Sequence, residues 1–220
     1  ATDYAIKNGL KYPVKREASK KEKVAIIGSG PAGLTAGYYL GVKGYTVTIF
    51  ESLPVIGGAL ATCIPEHRLP TAILNYDIEN IKEAGVQFKV NTTVGKDITF
   101  QKLRDTYDAI FIAAGAHKSI SLGIANEDAE GVIDALEFLR DTKLGKAVKI
   151  GARVGVIGGG NAAVDSARVA LRLPECEEVT ILYRRTRKEM PAFEEEAEAC
   201  IEEQINMHFL TAPKRILTRN

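Results

Sequence analysis

Gly28, Gly30 and Gly33 stand in the spacing G-x-G-x-x-G, with Glu51 downstream; Gly158, Gly160 and Ala163 repeat the pattern as G-x-G-x-x-A, with Arg184 and Arg185 downstream. A glycine turn of this kind presents backbone N–H groups at the positive end of a helix, where a phosphate is held. An acid about 20 residues further on can accept hydrogen bonds from a ribose diol, whereas arginines in its place suit a ribose 2′-phosphate. The chemistry implied is the holding of dinucleotides. Side chains for bond-making are not evident: His67, His117 and His208 are isolated from any metal spacing, and no serine sits in a G-x-S-x-G elbow. No paired carboxylates stand in a hydrolase context, and no CxxC follows the first turn.

The elements that must position these residues follow in order. Val24–Ile27 is an apolar run too short for a helix and reads as a buried strand. Leu34–Val42 has helical character, and Thr46–Phe50 is a second β-rich run that ends at Glu51. Gly28 permits the sharp turn, Gly30 the approach of a pyrophosphate, and Gly33 close packing of helix on strand. Ser52–Pro70 is a long loop of the kind that usually carries function; Gly57 and Gly58 permit close backbone approach, and Arg68 is a candidate phosphate or flavin contact. Thr71–Ala84 reads as a helix stopped by Gly85. Strands are expected at Val86–Val90 and Asp108–Ala113, with a short helix around Leu103 between them; the small residues to Gly115 suit a backbone passing close to a ligand. A short helix at Ala135–Arg140 follows an irregular stretch.

The second turn sits between a strand at Arg153–Ile157 and a helix running to about Leu173, with a further strand at Val179–Tyr183. This near-repeat of the first unit predicts two dinucleotide sites. Two charge-assisted hydrogen bonds from Arg184 and Arg185, at roughly 1.5–3 kcal/mol each, could favour NADP over NAD by about 10²–10⁴. Met190-Pro191-Ala192 is expected to open an acidic helix over Phe193–Gln204, with Pro191 in its first turn, before a strand at Met207–Leu210. The 220 residues suffice for one large or two small domains. A net charge of +1 points to neither nucleic acid nor membrane, and no apolar run approaches the ~20 residues of a membrane span. Cys63, Cys176 and Cys200 are odd in number and far apart, which argues against a disulfide framework and for the cytoplasm. The lysine-rich residues 1–22 read as a linker.

GSGPAGL at Gly28–Leu34, IPEHRLP at Ile64–Pro70, GGGNAAVD at Gly158–Asp165 and ILYRRTRKEMPA at Ile181–Ala192 together resemble the small (β) subunit of NADPH-dependent glutamate synthase and its relatives. Those relatives include the flavin module of dihydropyrimidine dehydrogenase and electron-bifurcating ferredoxin:NADP oxidoreductase subunits. The resemblance implies an α/β protein of two Rossmann-like domains with parallel sheets, the second nested after the first as in the pyridine nucleotide-disulphide oxidoreductases. The FAD-binding domain would span 23–116 and the NADP-binding domain 117–220. By motif, Gly28, Ser29, Gly30, Pro31 and Ala32, closed by Gly33, would hold the FAD pyrophosphate, and Glu51 its ribose. Ala59, Leu60, Ala61 and Thr62, beside Gly58 and with Arg68, would line the flavin, and Val94 would meet the adenine end through its backbone. Gly158, Gly159, Gly160, Asn161 and Ala162 would hold the NADPH pyrophosphate, with Arg184 and Arg185 on the 2′-phosphate.

Two positions depart from the family pattern: Cys63 replaces a glycine, and Ala113-Ala114-Gly115 replaces A-T-G. The family also carries a cysteine-rich iron–sulfur domain upstream and a Gly-Asp flavin motif downstream, so the chain reads as truncated and is expected to be inactive alone. The function implied is an NADPH-dependent FAD oxidoreductase module. It would pass electrons to iron–sulfur clusters on an absent domain or partner, with a large synthase-type subunit as a further partner. The alternative is a non-catalytic nucleotide-binding scaffold or inactive fragment; a flavin monooxygenase relative is a weaker third reading.

Overall fold

Val24, Ala25 and Ile26 are all buried, as a continuous apolar run must be when it lies in the middle of a parallel sheet covered on both faces. In the computed structural model, which describes residues 2–10 and 13–218, this run is β1 (Lys23–Ile27). The chain divides into two compact units, Ala1–Ala116 and His117–Asn220.

In the first unit β1 pairs in parallel with β2 (Thr46–Phe50) on one side and β4 (Ala109–Ile112) on the other, and β3 (Gln87–Lys89) lies beyond β2. Alternation sends Val24 and Ile26 to one face and Ala25 to the other. On the first face, α2 (Pro31–Val42) and α4 (Thr71–Glu83) cover a core that includes Ile26, Val47 and Ile49 together with Leu74, Ile78 and Ile81. Burying a side chain such as Ile26 or Ile49 contributes about 1.5–3 kcal/mol. On the other face, α5 (Phe100–Thr106) brings Leu103 against Ala25 and Phe50; its N-cap Thr99 accepts a hydrogen bond from Lys102 N at 3.1 Å. The helix α2 owes its seat to glycines rather than to an apolar stripe. Gly33, Gly37 and Gly41 recur one turn apart on its buried face. A Cβ at Gly37 would lie 2.9 Å from Ile49 Cδ1, and one at Gly41 2.6 Å from the Ala84 carbonyl oxygen.

Of the stretch 1–22 read as a linker, residues 1, 11 and 12 lie outside the described residues, and the rest makes a short helix and bonds within the first unit. Thr2–Lys7 forms a helix, α1, and Tyr76 Oη donates to the Leu10 carbonyl at 2.7 Å. Further along, Glu17 N and Lys20 N donate to the carbonyls of Val42 and Gly44, and Arg16 Nε to that of Gly41. The polar composition hid this, because the segment is anchored through its backbone and through a cation placed at the negative end of α2.

The second unit repeats the strand order. β5 (Arg153–Ile157), β6 (Glu178–Leu182) and β7 (Asn206–His208) form a parallel sheet in that sequence, with α7 (Asn161–Leu171) crossing from β5 to β6. Val164, Ala167 and Ala170 pack on Val179 and Ile181, joined by Phe138 and Leu139 of α6 (Ala135–Lys143) and by Ala197 and Cys200 of α8 (Glu194–Glu202). The acidic helix therefore starts later than its sequence suggests, with Phe193 as N-cap and Pro191 outside it. Glu196 on this helix is paired with α7. Arg168 Nη1 donates to it at 2.5 Å and Nη2 to Glu203 at 2.7 Å, and Arg172 binds Glu203 as well, which ties α7 to α8. Among the described residues no helix is long and apolar enough to cross a membrane.

Candidate dinucleotide sites

At the end of β1 the chain turns at Gly28, whose φ of 102° favours glycine, and Gly28 N donates to the Phe50 carbonyl at 2.8 Å. A Cβ there would overlap the Ala113 carbonyl, and one at Gly33 would overlap the Gly28 carbonyl, so strand, turn and helix meet at backbone contact. The N-cap of α2 is Gly30 and Pro31 is its first residue. Neither can cap the helix with a side-chain acceptor, so the first-turn N–H groups, those of Ala32 and Gly33 included, remain available to an anion at the positive end of the dipole.

Ser29 does something its motif position did not reveal. It is fully buried, and both its N–H and its Oγ donate to Glu51 Oε2, at 2.9 and 2.6 Å. The same Oγ accepts from Gly57 N at 3.0 Å. Glu51 is 5% exposed, and its other oxygen accepts from Leu53 N at 2.9 Å and Ser52 Oγ at 3.2 Å. Burial pushes the Glu51 carboxyl up, but the hydrogen bonds from Ser29, Leu53 and Ser52 outweigh it and hold the group below the ordinary carboxylate value. Four donors occupy the four acceptor positions of a carboxylate. A ribose hydroxyl reaching Glu51 would therefore replace the longest of them, the exposed Ser52 Oγ.

The loop beyond is seated on the turn itself: a Cβ at Gly58 would stand 2.8 Å from Gly30 Cα. There follows α3 (Ala59–Thr62), where Thr62 is buried and its Oγ1 donates to the Gly58 carbonyl at 2.9 Å. Of the residues expected to line a flavin, only Ala59 is exposed, while Leu60 and Ala61 pack against the core beside Leu74. Arg68 is half-buried. Val94 bridges to Ile98 and packs on the cluster of Ala25, Phe50 and Leu103, two residues beyond Thr92, whose N donates to the Glu51 carbonyl at 2.8 Å.

The second turn is built alike with one exchange. Gly158 has φ 144° and donates to the Leu182 carbonyl at 3.1 Å. The third glycine position is Ala163, and its Cβ would meet a Cβ on Gly158 at 3.1 Å, a looser fit than at Gly33. Gly160 caps α7 with no side-chain acceptor, so the amides of Asn161 and Ala162 stand in its first turn. Gly159 is covered by the ring of Tyr183, whose Cδ2 would lie 2.5 Å from a Cβ at that position. Asn161 Oδ1 accepts from Phe193 N at 3.0 Å, and Ala192 N donates to the Gly159 carbonyl at 3.1 Å. The Met190–Phe193 segment is thus docked on the glycine turn, which the motif reading took for the opening of a helix. Arg184 and Arg185 are exposed, directly beyond β6 and Tyr183.

Sequence reasoning missed the Ser29 latch, the Tyr183 cover and the docked segment. The first two are side-chain orientations without a sequence period; the third had a signal in the Met-Pro that interrupts helical spacing.

The profile of the pyridine nucleotide-disulphide oxidoreductase family matches residues 22–217. The chain is 42% identical over 222 residues to the NADPH-Fe(3+) oxidoreductase subunit beta of Geobacter sulfurreducens, covering 99% of this chain and 33% of that protein. It is 36% identical over 222 residues to a putative glutamate synthase [NADPH] small chain of Cereibacter sphaeroides, covering 97% of this chain and 54% of that one. It therefore spans about a third to about a half of the length of these relatives. Among solved structures, Mycobacterium tuberculosis FprA in complex with NADPH superposes with a TM-score of 0.71 at 25% identity, over 83% of this chain and 48% of that one. With its paired glycine turns on parallel sheets and a profile match over nearly its whole length, the chain belongs to the pyridine nucleotide-disulphide oxidoreductase family.

Proposed function

We propose that the chain is the nucleotide-holding core of an NADPH-dependent flavoprotein oxidoreductase of the glutamate synthase small-subunit type. FAD belongs to the first unit and NADPH to the second. One observation carries this reading: two glycine turns of the same build end at strands bearing opposite charge, a buried carboxylate at Glu51 and an exposed arginine pair at Arg184 and Arg185. A buried acid fits the diol of a ribose, and two guanidinium groups fit a 2′-phosphate. The family profile and the relatives named as NADPH enzymes agree with it.

The donor sets fit these groups. In the first unit, the uncapped N–H groups at the start of α2 would hold the pyrophosphate, with Gly30 leaving room for it, and Glu51 would accept from the ribose. Ser29 keeps Glu51 ionised and in place. Ala59 would stand at the flavin edge, with Arg68 and the Val94 backbone as the remaining contacts. In the second unit, the start of α7 would hold the NADPH pyrophosphate under Tyr183 and the docked Met190–Phe193 segment. When bound, the two cofactors supply hydride transfer between nicotinamide and flavin, chemistry that asks orientation and exclusion of water from the protein rather than an acid or base.

The relatives are named as a subunit beta and a small chain, which supports assembly with other subunits. In this proposal electrons leave for an iron–sulfur domain or subunit, with a large synthase-type subunit as final partner, in the cytoplasm. The three cysteines are free thiols, in keeping with that compartment. The test is anaerobic titration of the FAD-loaded full-length protein with NADPH and NADH while following the flavin band. Bleaching by NADPH, with NADH much less effective, is expected. A flavin band unchanged by both nucleotides would leave a non-catalytic scaffold.

A further inference from the structure

The arginine pair sits on a short turn, and an exposed turn does not hold two long side chains in a reading position by itself. Three sets of bonds fix this one. On the side of β7, Tyr183 N donates to the His208 carbonyl at 2.9 Å, Thr211 N to the Tyr183 carbonyl at 3.0 Å and Leu210 N to the Arg185 carbonyl at 3.2 Å. Leu210 makes its bond at φ 54°, a conformation that is unusual for a residue lacking a short polar side chain. Below the turn, the Tyr183 ring lies over Gly159 and its Oη donates to the Glu189 carbonyl at 2.7 Å. Ahead of it, Thr186 N and Thr186 Oγ1 both donate to Glu189 Oε2, at 3.1 and 3.0 Å, closing a capping box around the single 3-10 turn Arg187–Glu189.

Glu189 is an acid that directly follows the most basic run of the chain, Arg184–Lys188. A carboxylate so close to a 2′-phosphate works against binding, unless its placement contributes more than its charge costs. We propose that Glu189, through Thr186, is a positioning residue for 2′-phosphate recognition: its carboxylate holds the backbone that carries Arg184 and Arg185. This rests on the NADP reading given above. The box ties together residues 186 and 189, Tyr183 ties 189 to the glycine turn, and the arginines occupy the two positions between those anchors. The device thus connects the part that would hold the pyrophosphate with the part that would read the phosphate on the ribose.

The charge and the placement can be separated, because a capping box accepts glutamine as well as glutamate. The full chain is titrated with 2′,5′-ADP and with 5′-AMP, the second serving as a control for folding and for the rest of the adenosine site. Glu189→Ala is expected to weaken 2′,5′-ADP about 3- to 30-fold, the range that loss of a cap implies, and to change 5′-AMP by less than about 2-fold. Glu189→Gln, which keeps the acceptor and removes the charge, is expected to bind 2′,5′-ADP as well as the parent or better. In a background carrying Arg184→Ser and Arg185→Ser, Glu189→Ala is expected to have no further effect. If Glu189→Ala binds 2′,5′-ADP as tightly as the parent, or if alanine and glutamine change it equally, the positioning role is wrong. If the double arginine variant keeps the parent's preference for 2′,5′-ADP over 5′-AMP, it is the underlying NADP reading that fails.

Discussion

Replacing Ser29 by alanine tests the most buried part of the first site. The hydroxyl donates to Glu51 at 2.6 Å and accepts from Gly57 N at 3.0 Å, and the residue is fully buried, so water cannot take its place. A hydrogen bond to a charged group contributes about 1.5–3 kcal/mol, and leaving the buried Gly57 N–H without its partner costs roughly 1–3 kcal/mol more. The Ser29 N–H bond to Glu51 survives the substitution, which limits the loss. A net destabilisation of about 2–4 kcal/mol is expected at pH 7, read as a fall in the urea midpoint at unchanged slope. The pH dependence gives a second readout. Glu51 has a depressed folded pKa, so its contribution is present above the ordinary 4.5 and is lost as pH falls. Without the Ser29 hydroxyl, burial opposes fewer hydrogen bonds, so the Glu51 pKa rises and acid unfolding begins at higher pH than in the parent. A double-mutant cycle with Glu51→Gln isolates the pair. A Ser29→Ala midpoint within error of the parent, or a coupling near zero in the cycle, would refute the latch.

The two glycine turns should respond oppositely to a methyl group. Gly33→Ala places a Cβ into the Gly28 carbonyl and should cost more than about 3 kcal/mol or abolish folding, whereas Ala163→Gly should cost about 1 kcal/mol, the ordinary expense of glycine in a helix; urea melts of both decide it. The clamp between α7 and α8 should weaken in acid. Hydrogen bonds from Arg172 outweigh burial and, with those from Arg168, hold the Glu203 carboxyl down at about 2. Its contribution is therefore complete above the ordinary 4.5 and lost as pH falls toward about 2. Urea midpoints of the parent should converge on those of Glu203→Gln over that interval, and curves that stay parallel to pH 2 would show the clamp to be inert.

Much of this protein is set by local pattern. A four-residue apolar run bounded by glycine is too short for a helix and reads as a buried strand, and in the G-x-G-x-x-G after it Gly28 and Gly33 fix a turn that a Cβ at either position would obstruct. For that reason the strands, the crossover helices and the repeat of the unit are legible from residues alone, as is the exchange of Glu51 for Arg184 and Arg185. What the tertiary structure decided is where each polar atom goes. Ser29 follows the first glycine and reads as a phosphate ligand, yet its hydroxyl faces Glu51 because the end of β2 is brought beside the turn by the sheet register. Met190–Phe193 reads as a helix start, yet it docks on the glycine turn, where the Gly159 carbonyl accepts from Ala192 N and Asn161 Oδ1 accepts from Phe193 N. The residues before Lys23 read as a linker, yet Arg16, Glu17 and Lys20 find carbonyls at the end of α2. Sequence period reports which face of an element is apolar; it carries no information on which distant donor will meet a given acceptor, and that choice is made only when the elements pack.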